Sequence, residues 1–351
     1  MKKFSVRRLL NRQGQTVARG SVSDMAEKTS IHMNTAGKYF NGIDLHAVHL
    51  DVLTKICDYL QHDLKIKVPL PGSLFYDDTL WDALKDLDVT FFMGANWFEG
   101  ESPEHEGRIS RHDHRAQSLL AAHLAGLKFG SKDAKDPHEE FVRYLHHYGV
   151  DAVPPSEEDE KHAEELYKTY FSADRKLKTN IIIASQKSNL ITELFVAECF
   201  DEDPFTLPVE PKIPFFLVPR ETDGRFRSCF GGAEPPAIIE RAHAPGIHYR
   251  LNGSWSHSTE WYEDTQDAGV VLIRHIAAAD VLDVAIIGFS GLGTYLVARD
   301  IINRGEEYWH FQSDSGEQQL GLFLCEIALS DNTVRKVTPI DCNNVRADPE
   351  N

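Results

Sequence analysis

The chain has 351 residues, 42% of them hydrophobic, and a formal net charge of −17. That length points to two or three domains with an ample core. No apolar run approaches the ~20 residues that span a bilayer, and the start, MKKFSVRRLLNRQGQ, lacks the apolar centre of a secretory signal. Five scattered cysteines (Cys57, Cys199, Cys229, Cys325, Cys342), never paired as C-x-x-C, argue against a disulfide or zinc scaffold and for a reducing, cytoplasmic setting.

The charge is divided unevenly. Residues 1–68 hold 11 Lys and Arg against 6 Asp and Glu, a net of +5, whereas the other 283 carry 26 against 48, a net of −22. A positive N-terminal part suits phosphate neutralisation, and an acidic body would face away from a nucleic acid.

Phe4 to Arg12 reads as a first helix, with Val6, Leu9 and Leu10 set among Arg7, Arg8 and Arg12. Residues 21–42, SVSDMAEKTSIHMNTAGKYFNG, read as two short helices joined by a tight turn. Ser21-x-x-Asp24 has the capping-box pattern, and Asp24 suits the positive end of the helix dipole. Met25 and Ala26 face inward. Thr29-Ser30-Ile31 breaks the chain before a second helix from about His32, polar on one face with Asn34, Thr35 and Lys38 and stopped by Asn41-Gly42. Leu50, Leu53, Ile56, Cys57 and Leu60 then mark one face of an amphipathic helix. His46 and His49 lack two further ligands nearby, so no metal site is expected there.

Together with the following LDVLTKICDYLQHDL, this run resembles the helix-turn-helix of the Cro/C1-type (Xre) repressor family over residues 4–64. The resemblance implies an all-α, five-helix DNA-binding domain at residues 1–68, with Met33–Phe40 as recognition helix. It places Ser21, Ser23, His32, Met33, Asn34, Thr35, Lys38 and Tyr39 at the DNA. It also implies a homodimer on a double-stranded operator. Two positions depart from the family. Ser30 stands where the turn usually has Gly, at a cost of about 1 kcal/mol in a left-handed conformation, and Ala36 stands where Ile or Val is usual.

Residues 69–74 read as a Pro/Gly linker, residues 75–345 as a large α/β domain, and 346–351 as a polar tail. The body alternates apolar strands with amphipathic helices, which predicts a Rossmann-like, mostly parallel sheet covered by helices. Three strand–loop–helix units stand out. The first runs from strand 88–94 to a helix from Ser110 that begins Arg111-His-Asp-His-Arg115, where a bare H-x-H is a weak metal signal. Two surface helices are expected between Gly130 and Lys178, separated by Pro154-Pro155.

The second unit joins strand 179–184 to a helix from Leu190 through Ser185-Gln-Lys187-Ser188-Asn189. A polar loop at the carboxyl end of a buried strand, leading into a helix N-terminus, suits an anion. Ser185, Lys187, Ser188 and Asn189 are the candidate contacts, with Glu193 one turn in. Short strands are expected at 213–220, 226–230, 247–251, 269–275 and 320–329, with an aromatic loop at Trp255, Trp261 and Tyr262.

The third unit is Asp283-Val-Ala-Ile-Ile-Gly288-Phe-Ser290-Gly291-Leu-Gly293-Thr294. Its G-x-x-G-x-G spacing departs from the dinucleotide fingerprint and it lacks the Lys-Ser/Thr of a P-loop. Ser290, Gly291, Gly293 and Thr294 are read as contacts to a phosphate or nucleotide.

These observations point to a sequence-specific DNA-binding transcription regulator whose α/β domain dimerises and senses a small anionic, nucleotide-like ligand, with no firm cofactor, no metal and no catalytic residue. The alternative is a nucleotide- or NAD-acting enzyme resembling an N-glycosidase, with Glu193 as acid or base.

Overall fold

A computed structural model describes residues 2–4, 6, 9–10, 20–41, 49–65, 75–77, 79–84, 89–96, 108–129, 142–147, 156–172, 175, 179–183, 189–219, 228–232, 235–239, 244–262, 265–276, 281–309, 311 and 318–342. The linker at 69–74 and the tail at 346–351 lie outside this set.

At the start of the chain β1 (Lys2–Phe4) pairs antiparallel with β2 (Phe75–Asp77), so both ends of the N-terminal part meet in one ribbon. Phe4 therefore belongs to a strand and not to the expected first helix. Of the rest of that helix only residues 6, 9 and 10 are described, and Val6 and Leu10 are buried in the N-terminal core.

Three helices follow: α1 (Ser21–Thr29), α2 (Met33–Asn41) and α3 (Leu50–Asp58), the last continuing through a π-helical turn at Tyr59–Asp63. They enclose Met25, Ala26, Ile31, Ala36, Phe40, Leu53, Ile56 and Leu60. Ser30 ends α1 at φ 54, ψ 36, and its amide satisfies the last carbonyls of the helix. The capping box at Ser21 does not form. Gly20, at φ 105, precedes the helix with no side-chain cap, and Asp24 accepts a hydrogen bond from the Tyr59 hydroxyl at 2.7 Å. Asp24 thus ties α1 to the turn behind it.

The body is built on a seven-stranded mixed sheet in the order β14-β13-β11-β12-β7-β3-β6. β3 (Val89–Met93), β6 (Val142–His147), β7 (Thr179–Ile183) and β12 (Val281–Gly288) run parallel. β11 (Gln266–Ile276), β13 (Gln318–Ala328) and β14 (Thr333–Ile340) extend the sheet antiparallel. The expectation of a mostly parallel sheet is corrected to half: β11 is followed directly by its neighbour β12 and β13 by its neighbour β14, connections that antiparallel pairing permits without a crossover helix.

One face of the sheet carries α4 (Leu80–Leu84), α5 (Arg111–Phe129) and α8 (Gly291–Arg304), with Leu84, Ala116, Leu120, Leu296 and Ile301 against Phe91, Ile183 and Ile286. The other carries α6 (Glu157–Phe171) and α7 (Leu190–Phe200), with Ala163, Ile191 and Phe195 against Phe92, Ile182 and Ala285. A small antiparallel sheet of β8 (Phe215–Val218), β9 (Gly246–Leu251) and β10 (Ser254–Glu260) completes that second layer. Two further expectations change. Residues 142–147 form an edge strand where a surface helix was expected, and Trp255 is buried beside Phe216, Val218 and Ile239 within β10, where an aromatic loop was expected. A two-residue hairpin pair, β4 (Ala95–Asn96) and β5 (Arg108–Ile109), lies between β3 and α5.

At the amino half of the parallel strands one polar cluster is sealed inside the second layer. Asp283 is fully buried and takes Arg175 Nη2 at 2.6 Å, Arg274 Nη2 at 2.8 Å, Arg274 Nε at 3.0 Å and Asn180 Nδ2 at 3.0 Å. Arg274 also reaches the half-exposed Glu198 at 3.0 Å. Every oxygen of Asp283 is thus charge-paired or hydrogen-bonded, the condition under which a buried ion is tolerated.

Candidate functional site

Two places have the geometry of a site. The first is the outer face of α2. His32, Met33, Asn34 and Lys38 are exposed, Thr35 is half-exposed, and Met33 is 47% exposed, unusual for its type. His32 Nδ1 accepts from the Asn34 amide at 3.3 Å, which satisfies a free donor at the start of α2. Ser23, exposed on α1, lies with its hydroxyl 3.9 Å from Met33 Sδ, so the two helices share one outer surface there. Ser21 is half-exposed at the first position of α1. Tyr39 is the exception among the expected DNA contacts. It is 3% exposed, and its hydroxyl accepts from the His49 amide at 3.0 Å, so it packs inward against the approach to α3.

The second place is the carboxyl edge of the parallel strands. Val284, Ile181 and Phe91 are in register across β12, β7 and β3, so the three strands end together. The chain leaves β3 toward α5 on one face, β7 toward α7 on the opposite face, and β12 toward α8 on the first face again. Neighbouring strands that send their helices to opposite faces open a crevice at their carboxyl ends, and three helix N-termini meet its rim.

The polar residues that the sequence singles out here are partly spent on holding the crevice together. Ser185, Lys187 and Ser188 lie outside the described residues. Asn189 is 1% exposed and caps α7: its Oδ1 accepts from Ile191 N at 3.1 Å, and its Nδ2 donates to Phe92 O at 3.2 Å and Ile183 O at 3.1 Å. It therefore bridges the ends of β3 and β7 and is no free donor to a ligand. Glu193, 1% exposed, accepts from Phe205 N at 3.0 Å and Cys229 N at 2.7 Å, and from the Ser228 hydroxyl at 2.7 Å. Burial raises its carboxyl above the ordinary value against the pull of these donors. It ties α7 to Phe205, Ser228 and Cys229, so both of its oxygens are engaged within the second layer.

The Gly288–Thr294 turn is also internally tied. Ser290 caps α8 by accepting from Gly293 N at 3.0 Å, and its hydroxyl donates to Asp267. Thr294 Oγ1 accepts from Gly288 N and donates to Ser290 O, both at 3.2 Å. A Cβ at Gly288 would sit 2.1 Å from Thr294 N, and one at Gly293 would sit 2.9 Å from Asp267 Oδ2, so both glycines are demanded by the turn itself. What remains open is its outer lip. Ser290, Gly291 and Leu292 are half-exposed, and the Gly291 and Leu292 amides belong to the first helical turn, where no carbonyl of the helix can reach them.

Across that lip lies the start of α5. A Cβ at Gly291 would lie 3.2 Å from Ser110 Oγ and 3.4 Å from His112 Cβ. Asp113, in the same turn, is 3% exposed. Burial pushes its carboxyl up to about 7 although Ser110 hydrogen-bonds it, and its Oδ1 has no partner. His112 Nδ1 is likewise buried and unpaired, and burial first, then Arg115 and Arg111, lower its affinity for a proton. Arg115 stacks on Tyr295 of α8 with its guanidinium 4.3 Å from the ring centre, which fixes the two helix starts together. The signal for Asp113 was available in the sequence: an Asp three residues after Ser110 at a helix start reads as a capping pair. Its unpaired second oxygen was not.

No protein-family model matches this chain, and neither a curated protein nor a solved structure is detectably similar to it. Among the described residues no three His, Cys, Asp or Glu side chains gather to hold a metal ion, and no helix is long and apolar enough to cross a membrane.

Proposed function

We propose that this chain is a DNA-binding transcription regulator of Cro/C1 type, in which α1 and α2 form the helix-turn-helix and the α/β body is a sensor for a small anionic, nucleotide-like ligand. The observation that carries the reading is the outer face of α2. It sets Asn34 and Lys38 beside an exposed Met33 on a short helix, held at a fixed corner by Ser30 and by the buried Ile31, Ala36 and Phe40. An amide side chain suits the edge of adenine, an apolar one the thymine methyl, and a lysine the phosphates or guanine. The net charge of +5 on residues 1–68 has the sign that phosphate binding needs. The acidic body would be held off the duplex, and in a homodimer it would supply the contacts that space two half-sites.

Binding to a mixed-sequence duplex, followed by fluorescence anisotropy across a salt series, tests the electrostatic half of this reading. Lys38→Ala is expected to weaken binding and to lower the slope of log K against log salt by about 1. Binding that is unchanged by salt and by Lys38→Ala would overturn it. A ligand then regulates by binding one DNA-competence state better than the other, and no catalytic step is needed.

A further inference from the structure

The N-terminal part is joined to the body with little slack. Val6, two residues after β1, is buried in the core that α1, α2 and α3 enclose. Thr79, two residues after β2, accepts from the Ala83 amide at 3.0 Å and so begins α4, and the next residue, Leu80, is fully buried in the body. Two residues reach roughly 7 Å at most. Pairing of Lys2–Phe4 with Phe75–Asp77 therefore holds the two cores to the two sides of one short ribbon, whatever path residues 69–74 take.

The body side of this junction is keyed into place by Trp81 of α4. Its Nε1 donates at 3.1 Å to Ile301 O, one of the last four carbonyls of α8, which lack a regular helical partner. Its ring meets His123 of α5 edge-on, the ring centres 4.4 Å apart. Beside it a Cβ at Gly305 would lie 2.3 Å from Nε1, so only hydrogen fits there. Trp81 thus touches both α5 and α8, the helices whose starts border the crevice and are joined there by Arg115 on Tyr295. A ribbon of three residues a side is marginal by itself, so its closure depends on how firmly these anchors are held.

We infer that the β1–β2 ribbon is a clasp, seated by Trp81, that fixes the orientation of the helix-turn-helix to the α5–α8 pair. The inference deepens the regulator reading and rests on it only for the effect on DNA. In a homodimer a closed clasp in each protomer sets the separation of the two recognition helices, and with it the half-site spacing. An open clasp leaves each α2 intact but lets the two separate, so the preference for one spacing is lost.

The test is amide nitrogen relaxation on the full chain, comparing α1–α3 with β7, β11 and β12. The parent is expected to give one rotational correlation time for both parts. Deletion of residues 2–4, Trp81→Ala and Gly305→Ala are each expected to shorten the time for α1–α3 relative to the sheet. The deletion removes β1, and the Gly305 variant displaces Trp81 without removing it. Should Trp81→Ala not fold, Trp81→Phe, which keeps a ring and drops the bond to Ile301, is read in its place. Two separate times already in the parent, one shared time in the deletion variant, or one shared time in the variants at 81 and 305 would each overturn the clasp. Its effect on DNA is read from duplexes with base pairs inserted between two half-sites. The parent is expected to lose affinity on insertion and the deletion variant to tolerate it. Spacing tolerance is the readout, and not affinity alone, because the deletion also removes Lys2 and Lys3. A shared correlation time with no DNA binding keeps the clasp and removes the regulator reading. Separate times with spacing-dependent DNA binding keep the regulator reading and remove the clasp.

Discussion

Asp283→Ala is expected to cost about 3–5 kcal/mol, a large share of the roughly 5–15 kcal/mol that holds a domain folded. Asp283 is fully buried between Arg175 and Arg274, which are 6% and 2% exposed. Removing it leaves two guanidinium groups in an apolar layer, facing Phe171 and Phe195, with the half-exposed Glu198 as the remaining counter-charge for Arg274 among the described residues. Most of the cost comes from the stranded charges and not from a lost attraction. Replacing Arg175, Asp283 and Arg274 together by apolar residues of similar volume should therefore recover much of the stability. Urea melts of the single and triple variants check both parts. A single variant losing under about 1 kcal/mol would show that the cluster is solvated.

Glu193→Ala is expected to cost about 3–4 kcal/mol, because it strands the buried amides of Cys229 and Phe205 and leaves a cavity between α7 and these two residues. Phe205 adds to the demand: it is held at φ 58, a conformation that a bulky residue adopts only when its surroundings fix it. The sign of the pH dependence follows from the raised carboxyl. Folding retains the Glu193 proton more strongly than the unfolded chain does, so its contribution is greatest below pH 4.5 and declines as pH rises through the folded value. Glu193→Gln should flatten that decline. A thermal-melt series from pH 4 to pH 8 reads both effects, and a Glu193→Ala variant as stable as the parent would return the residue to the list of surface groups.

Three units of the parallel half of the sheet were legible because each is a mostly apolar run, punctuated by Gly or Asn, before a helix. β3, β7 and β12 with α5, α7 and α8 all follow that grammar. Strand direction is not written in such runs, so the antiparallel half composed of β11, β13 and β14 was not. Edge strands were missed for a related reason. Thr333–Ile340 spaces Val334, Val337 and Ile340 three residues apart, without the alternation of a half-buried strand, and Val142–His147 is polar enough to pass for a helix face.

The site was less legible than the fold. Glu193 meets its partners 12, 35 and 36 residues away, separations that local spacing cannot encode. Asn189 reaches Phe92, 97 residues earlier, for the same reason. Tyr39 is different: Ala36, Tyr39 and Phe40 stand at i, i+3 and i+4, a buried-stripe spacing that was readable and that outweighs the aromatic's appeal as a base contact.

The most direct measurement of the regulator account is selection of bound duplexes from a random-sequence pool by the full chain, repeated with the Asn34→Ala/Lys38→Ala double variant. The account predicts an enriched, two-fold symmetric motif with the parent protein. It also predicts loss of that motif with the variant at an unchanged melting temperature, since both side chains are exposed and outside the core. A pool that emerges without a motif, or the same motif from both proteins, would contradict it.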